Sequence, residues 1–504
     1  MSRAAQLGLF VAVSLLTRAA FLRVPFLDLD EAAHLVGSQV LLDGGRLYTD
    51  FADNKPPLLY AYYALAQALL GRGLPSVRLF TALVTLPLTA LALSAFYRYE
   101  RRGLWAGMLF LVCSASFLAH DMHAVHSEVA MLLPAAWALT LALGEGRAAS
   151  AARLFGAGML LGIATLLKQP AVFWLPALAW PAVEARAGEG RVPLRSIGAL
   201  AAGYALPLGA TWLTFAVTGG ADDLVFWTLT WNLAYVANPI SVLEASERAA
   251  RGPLAFLLAS LPLLWAVRRS WAKVCAARRR LALVLALSVP PVFLGFRFFP
   301  HYLIPLYVPL ALLAAPYVAE LCERPLSKAG RGFVAATLVL LLGFTAANAT
   351  LYFGPFDVYA EARPVYAEVA RRLEGDACFH GATLFVWGYA PMFYVASGLR
   401  PATRFVVPQA SLTGYLAGNT GSALGTVDTR GRIDPGHWEL LMRDLAAAPP
   451  TYVLDTAPSG LYRWNRYPIT DFSHLEGYLR DGYELVDAVR GVRIHRRRGC
   501  APEA

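Results

Sequence analysis

The sequence predicts a polytopic α-helical membrane protein with about eleven spanning helices and a small C-terminal extracytoplasmic α/β domain. Composition carries the first part. Of 504 residues, 57% are hydrophobic and only 15% charged, with a mean hydropathy of +0.49, whereas soluble domains carry about a quarter charged residues. Periodicity carries the second. Apolar runs of roughly 15 to 22 residues, enough to cross about 30 Å of hydrocarbon, recur from Leu7 to Tyr352 and then stop. Beyond Asp357 the polarity is mixed, so residues 353–504 are expected to form an extracytoplasmic accessory domain behind a transmembrane domain at 1–352.

In chain order, the first run, Leu7–Phe21, contains Arg18 and is followed by no small-residue cleavage site, which predicts a retained helix rather than a signal peptide. Ten further spans are expected at Ser76–Phe96, Leu104–Ala119, Val129–Leu143, Leu154–Leu167, Ala171–Val183, Ile197–Val217, Leu254–Val267, Leu281–Phe296, Tyr302–Leu321 and Phe333–Tyr352. Leu58–Leu70 is also apolar, but its roughly 13 residues are short for a crossing and predict a helix lying at the outer interface. With that parity the strongly basic loops fall on one side together with the N-terminus, roughly eighteen Lys/Arg against roughly nine opposite. Those loops are therefore expected in the cytoplasm. The net charge of +10 is an orientation signal rather than a nucleic-acid surface.

Past the last span, strand-like runs (Thr383–Trp387, Tyr452–Leu454, Tyr483–Val489) alternate with helical patterns (Ala390–Ser397, His437–Ala447, Asp471–Arg480), as in a small α/β layer. The glycine-rich GNTGSALG (418–425) matches no phosphate-binding pattern and reads as a loop. The five cysteines show no metal-ligand spacing. Only Cys378 and Cys500 fall in the oxidising compartment, and a disulfide between them is expected if the first strand, TLFVW, and the last apolar alternation, VRIH (492–495), are neighbours in one sheet. Two free thiols at opposite edges are the alternative.

The chemistry-bearing residues gather in the outer loops. The first, FLDLDEAAHLVGSQVLLDGGRLYTDFADNKPPL (26–58), holds six carboxylates, one histidine and one lysine between hydrophobic segments. Asp30 and Glu31 stand one helical turn before His34, so LDEAAHLVGSQVLL predicts a short amphipathic helix presenting acid and imidazole together. An acid at a low-dielectric boundary is a candidate general base; solvated loop charges are the plain alternative. Pro56 and Pro57 block helix at Lys55 and hold Asp53 and Lys55 extended. That lysine suits an anionic headgroup or simply snorkels.

The second outer loop, HDMHAVHSE, spaces His120, His123 and His126 by three, as a divalent-metal site or as a polar wall of a cleft, with Glu128 opening an apolar helix. No metal or other cofactor is required by the chemistry. Lys168 lies in LLGIATLLKQP, where no charge is expected; its natural partner is a phosphate, or else a buried carboxylate. GFRFFPHYLIPL places Arg297 and His301 around aromatic residues, as a phosphate and sugar or lipid contact or as an interfacial belt.

These motifs, D-E-x-x-H followed by DNKPPL, an acid opening the helix after the second outer loop, ATLLKQP and RFFPHYLIPL, resemble in order the GT-C superfamily, specifically bacterial relatives of the protein O-mannosyltransferases and the lipid A aminoarabinose transferases. The resemblance spans most of Leu7–Tyr352. It implies an integral-membrane inverting glycosyltransferase that uses a polyprenyl-phosphate-linked sugar on the extracytoplasmic side of the cell membrane, with a glycan, lipid or protein as acceptor. The family's catalytic acid falls on Asp30, with Glu31 beside it. Its headgroup-binding lysines fall on Lys55 and Lys168 and its second-loop acid on Glu128, and it commonly has Tyr or His where His34 stands. From their own chemistry, Arg297 and His301 are expected to join the lysines at the donor phosphate, and His34, Asp53 and Glu128 to bind substrate. Many relatives have Asp where Glu128 stands, and the chain has no room for the β-trefoil insert of the O-mannosyltransferases. The alternative reading is a transporter or flippase of a polyprenol-linked intermediate or lipid. It needs a polar path between leaflets, whereas the ionisable groups here gather on one face.

Overall fold

The computed structural model describes residues 1–500 apart from 117–122, 147–149, 187–193, 238–239, 272–277, 324–326, 354–359, 408–409 and 416–429. His120, Cys275 and the 418–425 loop therefore lie outside the described residues. The chain divides into two compact units. One comprises Met1–Leu27, Lys55–Asp222 and Glu247–Pro355; the other comprises Asp28–Asn54, Asp223–Ser246 and Phe356–Ala504.

The first unit is helical. Among the described residues six helices are long and apolar enough to cross a bilayer (Arg3–Phe21, Leu74–Phe96, Leu194–Val217, Arg279–Phe296, Pro300–Leu321 and Lys328–Ala347), or seven if the pair Val242–Ala259 and Leu261–Ser270, bent by 52°, is one span. Pro57–Leu70, Ser127–Leu143 and Ala151–Leu167 are apolar but shorter, at 14, 17 and 17 residues. Two expected helices are less regular than their hydropathy suggests. Leu281–Phe296 becomes α-helix Arg278–Leu287 followed by a 3-10 stretch from Pro290, because two consecutive prolines remove donors from the ladder and Gly295 takes φ +67°. Ala171–Val183 opens with a 3-10 stretch, Gln169–Trp174, before α-helix resumes at Leu175.

Two packing features hold the functional residues of this unit. Helix Tyr307–Leu321 is buried along almost its whole length, from Tyr307 to Ala319, and the Tyr97 hydroxyl donates to its Leu312 carbonyl. Helices Ala151–Leu167 and Leu194–Val217 meet backbone to backbone. A Cβ on Gly158 would stand 2.2 Å from the Leu200 carbonyl oxygen, and one on Gly203 would stand 2.1 Å from that of Phe155. Small residues on the facing sides permit this approach, the usual way helices associate in lipid. It fixes the end of Ala151–Leu167, where Lys168 stands.

The second unit is built on a mixed five-stranded sheet in the order β2-β1-β3-β5-β4, with β1 Thr383–Trp387, β2 Arg400–Pro401, β3 Tyr452–Asp455, β4 Tyr483–Val489 and β5 Val492–Arg497. β1 runs parallel to β2 and β3, while β5 is antiparallel to both β3 and β4. The β4–β5 hairpin turns on Arg490 and Gly491, both at positive φ, as a tight two-residue turn requires. Helices Ala362–Glu374, Met392–Ser397, Pro435–Ala447 and Ser473–Gly482 accompany the sheet. Trp387 and Trp464 are fully buried, with Phe472 edge-on to Trp387 at 4.9 Å. The first-loop segment belongs to this unit: Ala52 N–H donates to the Arg404 carbonyl at 2.9 Å, and the Asn232 amide donates to the Asn54 carbonyl at 2.8 Å.

Cys378 and Cys500 are bonded, with Cα atoms 6.3 Å apart. The geometry that allows this differs from the expected one, since β1 and β5 are not neighbours and β3 lies between them. Asp376 closes the gap, accepting from Cys378 N–H at 2.9 Å, the Tyr452 hydroxyl of β3 at 2.8 Å and Arg496 of β5 at 2.8 Å. The disulfide spans 122 residues, so Cys378→Ser lowers the stability of this unit by roughly 4 to 5 kcal/mol on the chain-entropy account. Limited proteolysis of the full chain with and without the substitution measures this; equal cleavage rates refute it.

Candidate functional site

In the helical unit the site is organised by two helix ends. Helix Ser127–Leu143 carries Glu128 in its first turn, and Ala151–Leu167 ends on Lys168, whose extended backbone (φ −154°, ψ 118°) precedes Gln169-Pro170. A carboxylate at a helix N-terminus and a cation at a C-terminus each complement the macrodipole. The two side chains meet, Lys168 Nζ to Glu128 Oε1 at 2.9 Å, in a largely buried pair, and Ser127 donates to Glu128 Oε2 at 3.0 Å. Of the two partners expected for Lys168, the structure supplies the buried carboxylate. The ammonium also sits 5.6 Å from the centre of the Tyr302 ring, a cation–π contact that the sequence reading did not include.

His126 and His301 flank this pair. Their rings stack at 4.3 Å, 19° from parallel, and His301 stacks in turn on Phe299 at 5.4 Å. The predicted row of three histidines does not form among the described residues. His123 instead stacks on Phe21 at 4.0 Å and bonds to the Ala115 carbonyl. Ligand atoms of His126, Glu128 and His301 do lie within 4.8 Å of one another. As arranged, however, they fit an ion poorly. The carboxylate is engaged by an ammonium, and near-parallel stacked imidazoles direct their in-plane lone pairs alongside each other rather than toward one point.

Arg297, expected at an open outer turn, is fully buried, and its Nη1 donates to the Gly295 carbonyl at 3.2 Å. A compact turn after Gly295 folds the guanidinium inward. A different cation occupies the aromatic surface, with the Arg248 guanidinium 4.9 Å from the centre of the Phe299 ring. Its place in SERAARG (246–252), with Arg251 three residues on, gives it no distinction in sequence. Lys55 is half-buried just before helix Pro57–Leu70.

In the second unit, Asp30 and Asp53 line one pocket together with Leu29, Ala33, Phe51, Tyr389, Pro391 and Val406. Helix Leu29–Leu42 places the first acid. Asp28 is its N-cap, accepting from Asp30 N–H at 2.8 Å, and Asp30 and Glu31 occupy the first turn. Residues adjacent on a helix point about 100° apart, so one of an acidic pair faces a given cavity. Asp30 is that one. Glu31 and His34 are almost completely buried within a continuous run from Glu31 to Ser38, so the expected amphipathic face presenting acid and imidazole together is absent from this helix. Sequence reading also missed Tyr389, which follows the C-terminal end of β1, the end at which open α/β sheets place their sites. Burial, followed by the charge of Asp30, pushes the Tyr389 phenol well above its usual range, so it stays protonated and can donate a hydrogen bond.

The fold of the chain, a helical membrane unit and a sheet-bearing unit, is shared with solved proteins of the GT-C fold, among them two. One is ArnT from Cupriavidus metallidurans bound to undecaprenyl phosphate, at 15% identity and TM-score 0.57 over 98% of this chain and 99% of that one; its apo form gives 14% and 0.56 over 98% of each. The other is the archaeal oligosaccharyltransferase AglB from Archaeoglobus fulgidus, in complex with an inhibitory peptide and a dolichol-phosphate, at 13% identity and TM-score 0.52 over 99% of this chain and 74% of that one. No protein-family model and no curated protein sequence matches the chain.

Proposed function

We propose that the protein is an inverting glycosyltransferase that moves a sugar from a polyprenyl-phosphate donor to an acceptor hydroxyl at the extracytoplasmic face of the cell membrane. The reading is carried by the pocket that brings Asp30, Asp53 and Tyr389 together on a GT-C fold. It is supported by the polyprenyl phosphates bound to both structural neighbours. Asp30 is assigned as general base. Its carboxylate takes the acceptor proton as the acceptor oxygen bonds to the anomeric carbon, and the bond from that carbon to the phosphate oxygen breaks with inversion. Tyr389 donates to a substrate oxygen, and Asp53 shares the pocket.

The leaving phosphate is assigned to Lys55 and Lys168, with His301 and Arg248 beside the latter's cluster. Glu128 holds Lys168 by one N–H and leaves the other two for phosphate oxygens. Arg297 is assigned with them, its Nη1 holding the Gly295 carbonyl of the turn. Eleven crossings are proposed, the shorter apolar helices included, with the N-terminus in the cytoplasm and the sheet-bearing unit outside.

The test is a purified full chain in lipid vesicles, supplied with a panel of polyprenyl-phosphate sugars. Sugar transfer and release of polyprenyl phosphate are followed by mass spectrometry, with the lipids and glycans of a deletion strain used to identify the acceptor. Release coupled to transfer is the expected result. Movement of intact donor between leaflets, with no release from any donor, would overturn this reading in favour of a transporter.

A further inference from the structure

We propose that the pocket lined by Arg18, Phe21, Arg78, Thr81 and His123 in the helical unit is a second anion site, whose donors and acceptors match a phosphomonoester group. None of the residues of the Glu128–Lys168 cluster lines it. Arg18 and Arg78 are 5% and 3% exposed, in a unit whose helices are apolar. Among the described residues the partners of Arg18 are neutral: Nη1 donates to the Thr17 hydroxyl at 2.8 Å and Nη2 to that of Ser114 at 3.0 Å, while Nε–H has no partner there. Held by hydroxyls alone among the described residues, the Arg18 guanidinium retains an uncompensated charge in an apolar surrounding, a costly arrangement unless an anion neutralises it.

The chemistry of the third group narrows the anion. His123 Nε2 lies 3.1 Å from the Ala115 carbonyl oxygen, which can only accept, so Nε2 carries the proton. Burial, with Arg18 adding to it, holds the imidazole down to about 3, so the ring is neutral and Nδ1 is a lone-pair acceptor, without a partner among the described residues. The pocket therefore offers an unused donor on a cation and an unused acceptor on a neutral ring. An ion that matches both is an anion still bearing an O–H. A phosphomonoester, whose second ionisation lies near pH 6, carries such a proton for part of its population at neutral pH. Diesters and ionised carboxylates carry none.

The shared ligand chemistry is a phosphomonoester, supplied either by a lipid or by free phosphate. Native mass spectrometry of the detergent-solubilised full chain, titrated with phosphatidic acid, phosphatidylglycerol and inorganic phosphate, tests it. Repeating the titrations in a Lys168→Met, Glu128→Gln background weakens any phosphate bound at the proposed donor site without stranding a buried carboxylate. Phosphatidic acid is expected to bind in preference to the diester phosphatidylglycerol, and Arg18→Gln to weaken it about 10- to 150-fold. Competition by inorganic phosphate identifies a free-phosphate site, and lack of competition identifies a lipid site. Unchanged affinity in Arg18→Gln, or equal binding of the two lipids, overturns the proposal. Should Arg18→Gln fail to fold, His123→Phe decides: it keeps a ring against Phe21 and removes Nδ1, so an unchanged preference for phosphatidic acid over phosphatidylglycerol also overturns it.

Discussion

Asp30→Asn is expected to lower sugar transfer about 10²- to 10⁴-fold, the usual range for loss of a general base. The substitution preserves shape and keeps a hydrogen-bonding oxygen, but the amide cannot take up the acceptor proton. Its cost to the helix end is small. Asp30 lies in the first turn of helix Leu29–Leu42, where a carboxylate contributes about 0.3 to 1 kcal/mol through the macrodipole, and the N-cap bond from Asp28 is made to the Asp30 backbone and survives. Donor affinity should be nearly unchanged, because the cations assigned to the phosphate are untouched. Tyr389→Phe, which deletes one neutral hydrogen bond to substrate, should cost less, about 2- to 13-fold. The decisive comparison is with Asp53, which lines the same pocket. Near wild-type transfer by Asp30→Asn, combined with complete loss in Asp53→Asn, would move the base to Asp53.

Much of this arrangement was legible in the sequence, and the reasons it was, or was not, are physical. Lys168 stood out because a cation in an apolar run must have an anionic partner, but hydropathy alone could not choose between phosphate and carboxylate. The choice depended on Glu128, forty residues earlier, opening a helix whose end meets that of Ala151–Leu167. TLFVW read as a strand and is β1, since a short β-branched and aromatic run bounded by glycine leaves few alternatives. Strand order was hidden, because pairing is a long-range property. The disulfide was expected from β1 and β5 as neighbours and instead forms with β3 between them. Glu31 and His34 were misplaced for a related reason. Their spacing from Asp30 suits one face of a helix, but a helix buried on several sides has no solvent face to present. Arg297 was read by charge and neighbours, and only the backbone turn at Gly295 shows that its guanidinium is folded inward.

Lys168→Met is expected to do two separable things. It removes one charge-assisted contact to the donor phosphate, weakening donor affinity about 10- to 150-fold. It also strands Glu128, whose side chain is 4% exposed, without its counter-ion. Breaking a buried pair by removing one partner typically costs about 3 to 5 kcal/mol, mostly the desolvation of the charge left behind. A loss of activity in the single variant is therefore ambiguous, and a double-mutant cycle resolves it. Glu128→Gln neutralises the acid and keeps the bond from Ser127 possible, so the Lys168→Met, Glu128→Gln double variant should regain most of the lost stability while donor affinity stays low. Thermal unfolding of the full chain and direct titration with a polyprenyl phosphate read the two quantities independently. Donor affinity returning together with stability in the double variant would make the pair purely structural and remove Lys168 from the phosphate site.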